Sequence, residues 1–162
     1  METATLRPTH ARLARLAGAY AGGEAVYHEV GGAPGETTGR FRTNMGLGGH
    51  FLVVDYQQEQ FGAITRHVHA VMGFDGAAGQ YTLHWFDDSG EDPGAPAHGD
   101  WHGDDLVFER VTRQGPVRVA FGAPLGDGDS LTMRMECSVD GSAWAPAMQG
   151  SYRRANWDRR TR

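Results

Sequence analysis

The segment ITRHVHAVMGFDGAAGQYTLHWFDD (64–88) holds the residues whose types and spacing best suit chemistry. His67 and His69 are two apart, so on a strand they project from one face. The turn DGAAGQ folds the segment into a hairpin, and pairing Phe74 with Tyr81 sets Val71 opposite His84 and His69 opposite Phe86. All three imidazoles then share a face, with His84 diagonal to His69 and within side-chain reach. Three histidines from neighbouring strands can hold a zinc ion and leave a fourth position for water, or can act as acid–base groups. The other face carries Val68, Ala70, Met72, Phe74, Tyr81, Leu83 and Trp85 and is the more hydrophobic of the two. Burying it turns His67, His69 and His84 outward beside Arg66 and Asp88, and a one-residue slip would separate His84 from the other two. Exposed histidines are therefore expected, with a metal site as the alternative.

Other candidates are less pointed. His98 and His102 have helical metal-ligand spacing, but the intervening Gly99-Asp100-Trp101 argues against a helix there. A haem would need one axial His in an apolar cavity, and any of eight histidines is nominally available, so the composition selects none. No cofactor is expected, with zinc and haem as the alternatives. All 15 basic residues are Arg, which excludes Schiff-base, phosphate-loop and general-base lysines. GETTG (35–39) and GLGGHF (46–51) are accordingly not phosphate loops, and no G-x-S-x-G nucleophile motif occurs. Arg40, Arg42 and Arg118 fall on strands; one turned inward would hold a ligand carboxylate bidentately, although a strand Arg ordinarily lies on the solvated face. The acidic clusters Asp87-Asp88, Asp104-Asp105 and Asp127–Asp129 coincide with turns, where Asp serves local hydrogen bonding.

A formal net charge of −5 argues against nucleic acid as a partner. The lone Cys137 allows no internal disulfide and fits a reducing compartment. No apolar run is long enough for a membrane span, and METATLRPTHARLARLAGAY lacks the apolar core of a secretory signal. A cytoplasmic protein is expected, with no membrane partner.

The elements that must position these residues follow from periodicity. HARLARLAG reads as a short helix over 9–18, with Thr9 as N-cap, Leu13 and Leu16 on one face and Gly18 as stop. From Tyr20 onward the pattern has period two, clearest in SLTMRMECS (130–138), where Leu131, Met133, Met135 and Cys137 alternate with polar residues. The 24 glycines sit largely in turn clusters at strand-length intervals. About ten strands result, near 20–29, 36–45, 49–59, 63–74, 80–87, 97–103, 105–113, 116–124, 130–138 and 143–153. Short connections make sequence neighbours antiparallel, and closing the sheet removes its edges. The expected fold is all-β, a closed up-and-down barrel (1–153) capped by the short helix, with a basic tail at 154–162.

LARLAGAYAGGEAVYHE, GLGGHFLVVDY, VMGFDGAAGQYTLHWFDDSG, GDWHGDDLVFE and the closing GSYRR, in this order, resemble the bacterial DUF1579 family over roughly residues 10–153. The resemblance implies a calycin- or lipocalin-like barrel of ten strands and no established activity, so it supplies no catalytic residues. From the residues themselves, Phe51, Met72, Trp85, Phe121, Met133, Met135, Trp144 and Met148 form the expected inward set that lines a ligand-binding cavity, and Met suits a surface that adapts to varied apolar shapes. Three functions compete: binding of a small hydrophobic or amphipathic ligand inside the barrel; metal-dependent or acid–base catalysis by His67, His69 and His84; and a dimeric interaction protein joined through its outer face.

Overall fold

Alternation builds the wall. In FLVVDYQQEQ, Leu52, Val54, Tyr56 and Gln58 are buried while Phe51, Val53, Asp55 and Gln57 are only half-buried, the period-two signature of a strand with one face inside. The computed structural model, which describes residues 5–123 and 129–155, contains ten such strands. They are β1 (Gly18–Val26), β2 (Gly35–Gly46), β3 (Phe51–Gln60), β4 (Ala63–Asp75), β5 (Gln80–Asp87), β6 (Ala97–His102), β7 (Asp105–Thr112), β8 (Gly115–Gly122), β9 (Ser130–Cys137) and β10 (Ala145–Arg154). Each pairs antiparallel with its sequence neighbour, and β1 pairs with β10 to close the barrel. The β4–β5 register is the expected one, with Phe74 opposite Tyr81, Val71 opposite His84 and His69 opposite Phe86. Beyond Ala155 the expected basic tail lies outside the described residues, as do residues 124–128.

The N-terminal helix differs in its ends. α1 spans Pro8–Leu13 and runs into a 3-10 turn, Ala14–Leu16. Arg7, not Thr9, is the N-cap: Pro8 has the fixed φ suited to the first helical position, and the Arg7 N–H donates to His10 Nδ1 at 3.0 Å. The Thr9 hydroxyl is buried without a partner among the described residues, and Gly18 begins β1 rather than stopping the helix. Leu13 and Leu16 plug one end of the barrel, where Arg15 donates to the Ala123 carbonyl (2.9 Å) and Arg12 lies over the Trp101 ring (4.5 Å). No helix among the described residues is long and apolar enough to cross a membrane.

His10 gives this plug a pH dependence. It is buried, in edge-to-face contact with His50 (5.0 Å), and burial, with His50 and Arg7 nearby, holds its pKa below the ordinary 6.5. The unfolded chain therefore takes up this proton first as pH falls, so stability drops from about pH 6.5 down to the lowered folded value and is level beyond it. Urea midpoints at pH 7.5 and 5.5 should show a larger acid loss in the wild type than in His10→Gln.

The interior is packed. Tyr20, Phe41, Tyr56, Phe108 and Tyr152 are each 2% exposed or less, as are Leu52, Met72, Leu83, Leu106 and Leu131. A void able to admit water beside these side chains would leave them accessible surface, and they have almost none. The extra diameter of ten strands is taken up by aromatic rings and by the helix leucines.

The end opposite the helix is the mouth, formed by residues 27–34, the Phe61-Gly62 turn, residues 88–96, the Arg113-Gln114 turn and residues 138–144. β6 is too short to reach it. β6 meets β5 only from Tyr81 to Leu83 and meets β7 only from Asp105 to Glu109. His84–Asp87 of β5 and Arg110–Thr112 of β7 therefore have no β6 partner, and residues 88–96 connect the strands at this level.

Candidate site at the barrel mouth

The first built feature of the mouth is a buried carboxylate at the seam. Glu24 shares the inward face of β1 with Tyr20, Gly22 and Val26, and it is 5% exposed. Its Oε1 accepts from Tyr56 and Tyr152, both at 2.7 Å. Its Oε2 accepts from Thr37 Oγ1 (2.7 Å) and Gln58 Nε2 (3.1 Å). Burial first, and then the adjacent carboxylate, push both phenols far above the ordinary tyrosine pKa, so they remain protonated donors. Four donors from β2, β3 and β10 thus converge on one acid of β1, and no cation is needed. Glycines make the room: a Cβ on Gly39 would lie 1.9 Å from Glu24 Oε1, and one on Gly150 would lie 2.0 Å from the Tyr152 hydroxyl oxygen. With both oxygens engaged, Glu24 joins the first and last strands and has no lone pair left for a substrate.

Beyond this network the inward face of the mouth carries two guanidiniums. Arg66 sits opposite Gln58 and follows Val68 in phase, so it lies on the inner side of β4, where it pairs with Asp87 at 3.6 Å. Burial pulls the Asp87 pKa upward, but hydrogen bonds from Ser89 and Trp85, with Arg66, outweigh it and hold the carboxyl below its ordinary value. Arg110 follows Leu106 and Phe108 on the inner side of β7, opposite Val117 on β8. It is half-buried and has no hydrogen bond or ion pair among the described residues.

Beside Arg110 lies a pocket of about 380 Å³, lined on one side by Thr112, Val117 and Cys137 and on the other by Val30, Val139 and Trp144. Val30 and Val139 are 76% and 92% exposed and stand at its rim. A depression of about 480 Å³ over Ala25, Ala120, Arg134 and Gln149 involves outward positions of the strands, one of about 910 Å³ at the β1–β2 side of the mouth is lined by the acidic Glu24, Glu36 and Glu59, and one of about 430 Å³ at the helix end is lined by Arg7, His10 and His50.

The residues picked out by type distribute differently from expectation. Met72, Trp85, Phe121, Met133 and Met148 do face inward, but as parts of the packed core rather than as walls of a cavity. Met135 faces inward and stays half-buried toward the mouth. Phe51 is on the outside: Leu52 and Val54 take the inward phase, and the Phe51 ring lies against Gly73, the outward neighbour of Met72. Trp144 precedes β10 and stacks under the Arg118 guanidinium at 4.0 Å, on the rim. Phe41 takes the inward phase of β2, so Arg40 and Arg42 face out, and Arg118 pairs with Glu109 on the outer wall at 3.0 Å. The inward cations are Arg66 and Arg110 instead.

His67, His69 and His84 are exposed on the outer wall, because Val68, Ala70, Leu83 and Trp85 occupy the inner phase. His67 Nε2 contacts Asp55 Oδ1 at 2.6 Å, and no three His, Cys, Asp or Glu side chains among the described residues converge as metal ligands. Sequence reasoning missed Glu24 and Arg110. Both were visible as charged residues in the apolar phase of their strands, Glu24 after Tyr20 and Gly22, and Arg110 after Leu106 and Phe108.

A family profile described as protein of unknown function (DUF1579) matches residues 5–154. No curated protein matches the chain. Among solved structures, the crystal structure of Rv2717c from M. tuberculosis is similar at 17% identity with a TM-score of 0.64, covering 94% of this chain and 100% of that one. At that identity the likeness concerns the fold.

Proposed function

The chain belongs to the DUF1579 family, whose membership brings no activity with it, and we propose that it binds small amphipathic molecules at the barrel mouth rather than in a sealed interior. The observation that carries this reading is the contrast between the two ends. The helix end is plugged by Leu13 and Leu16 and its depression of about 430 Å³ is lined largely by polar residues such as Arg7, His10 and His50, whereas the mouth keeps a half-buried recess of about 380 Å³ with apolar walls. That volume falls in the range of about 300–1,000 Å³ usual for small-molecule sites. Apolar walls at Val117, Cys137 and Trp144, with polar groups at Thr112, Gln114 and Ser138, suit a ligand with an apolar body and a polar end. Catalysis by His67, His69 and His84 draws no comparable support from their exposed positions on the outer wall, where no three ligating side chains among the described residues converge.

Cys137 provides the test, since it is the chain's single cysteine and lines this recess. An aromatic disulfide reagent should modify its thiol in the free protein. Decanoate at ten times its Kd should slow that reaction about tenfold, because only the unoccupied fraction reacts. A modification rate unaffected by amphiphiles up to their solubility would overturn the reading.

A further inference from the structure

We propose that the mouth selects amphiphiles with an anionic head group, and that Arg110 holds that head. The inference rests on the mouth being a ligand site and adds the class of ligand it takes. It comes from matching the inward charges at the mouth one by one. Glu24 is satisfied by four neutral donors. Arg66 and Asp87 pair with each other. Asp140, in the loop after β9, also lines the recess, but its carboxylate accepts from the N–H groups of Ser142 and Ala143 in its own loop. Arg110 is left over, a half-buried residue whose guanidinium has no hydrogen bond or ion pair among the described residues.

A guanidinium carries five N–H donors in a planar fork, and at Arg110 no protein acceptor among the described residues competes with an incoming anion for them. The same fork matches the paired oxygens of a carboxylate, sulfate or phosphate. Position agrees with chemistry. Val117, opposite Arg110 in register, and Thr112, the next inward residue on its strand, both line the recess. The β6 pairing ends at Glu109, so Arg110 has no strand partner on that side. A head group held there places its chain along Val117 and Cys137 toward Trp144.

Calorimetric titration of the intact protein with decanoate, decyl sulfate, decanol and decyltrimethylammonium tests the assignment. The wild type should bind both anions roughly tenfold or more tightly than decanol, the usual worth of a charge-assisted contact. Arg110→Gln should erase that preference while leaving decanol affinity unchanged, and Arg110→Lys should retain part of it. Arg113→Gln, in the neighbouring exposed turn, should behave as wild type. Thermal unfolding of each free variant separates loss of binding from loss of fold. Equal binding of decanol and decanoate by the wild type would overturn the inference and leave the mouth reading standing. Survival of the preference in Arg110→Gln, or its loss in Arg113→Gln or Arg66→Gln instead, would overturn the role of Arg110. If no amphiphile binds the wild type, both fall.

Discussion

Glu24→Ala is expected to cost about 3–5 kcal/mol of folding stability, with a fall in Tm of roughly 10 °C or more. The carboxylate accepts from Tyr56, Tyr152, Thr37 and Gln58, and Glu24, Tyr56, Tyr152 and Gln58 are buried. Removing it strands two phenols and an amide away from water, and each orphaned buried donor costs about 1–3 kcal/mol before relaxation. The Ala variant also leaves a void beside the Tyr56 and Tyr152 hydroxyls. Glu24→Gln should cost less, about 1–2 kcal/mol, because the amide oxygen still accepts while the NH2 faces donors that must turn away. Urea unfolding followed by circular dichroism measures both. A Glu24→Ala variant within about 1 kcal/mol of wild type would mean that the network contributes little to closing the barrel.

The second large effect is expected at Gly22, on the same seam. A Cβ there would lie 1.9 Å from the Ser151 carbonyl oxygen and 2.8 Å from the Tyr152 Cα. Both atoms are backbone, so no side chain can move aside and β1 must separate from β10. Gly22→Ala should therefore destabilise by about 3 kcal/mol or more, at the upper end for overpacking. Its neighbour supplies the control: a Cβ on Gly23 meets nothing within 4 Å. Gly23→Ala should stay within about 0.5 kcal/mol of wild type. Hydrogen exchange would place the Gly22→Ala damage, with amide protection lost first along the β1–β10 pairing.

The wall of this barrel was legible because turn chemistry and period-two patterning repeat often enough to locate every strand, and the β4–β5 register followed from keeping Phe74, Met72 and Ala70 inside. Its contents were less legible for specific reasons. Phe51 reads as inward on hydrophobicity alone, although Tyr56 against Asp55 already puts Leu52 and Val54 on the inner phase. Trp144 reads as cavity-lining because it is a Trp, while an outer-wall Arg118 offers it a cation–π contact. Arg7 displaced Thr9 as the cap because Pro8 fits the first helical position, a constraint stronger than the Thr preference. Glu24 and Arg110 went unnoticed because charged residues are read by default as solvent-facing, and only the phase of their strands says otherwise. That ten strands would be filled by tyrosines, rather than left open, depends on side-chain packing across the barrel, which no local pattern encodes.

The methionines report where a ligand sits, because they mark different depths of the barrel. Met72 and Met133 are sealed in the core, whereas Met135 is half-buried toward the mouth. The most direct test of mouth binding is a decanoate titration followed by NMR of isotope-labelled methionine methyl groups. Saturable shifts at Met135, with Met72 and Met133 unmoved, are the expected result. Shifts of equal size at Met72, or none at any methionine while decanoate binds, would place the ligand elsewhere and contradict the account.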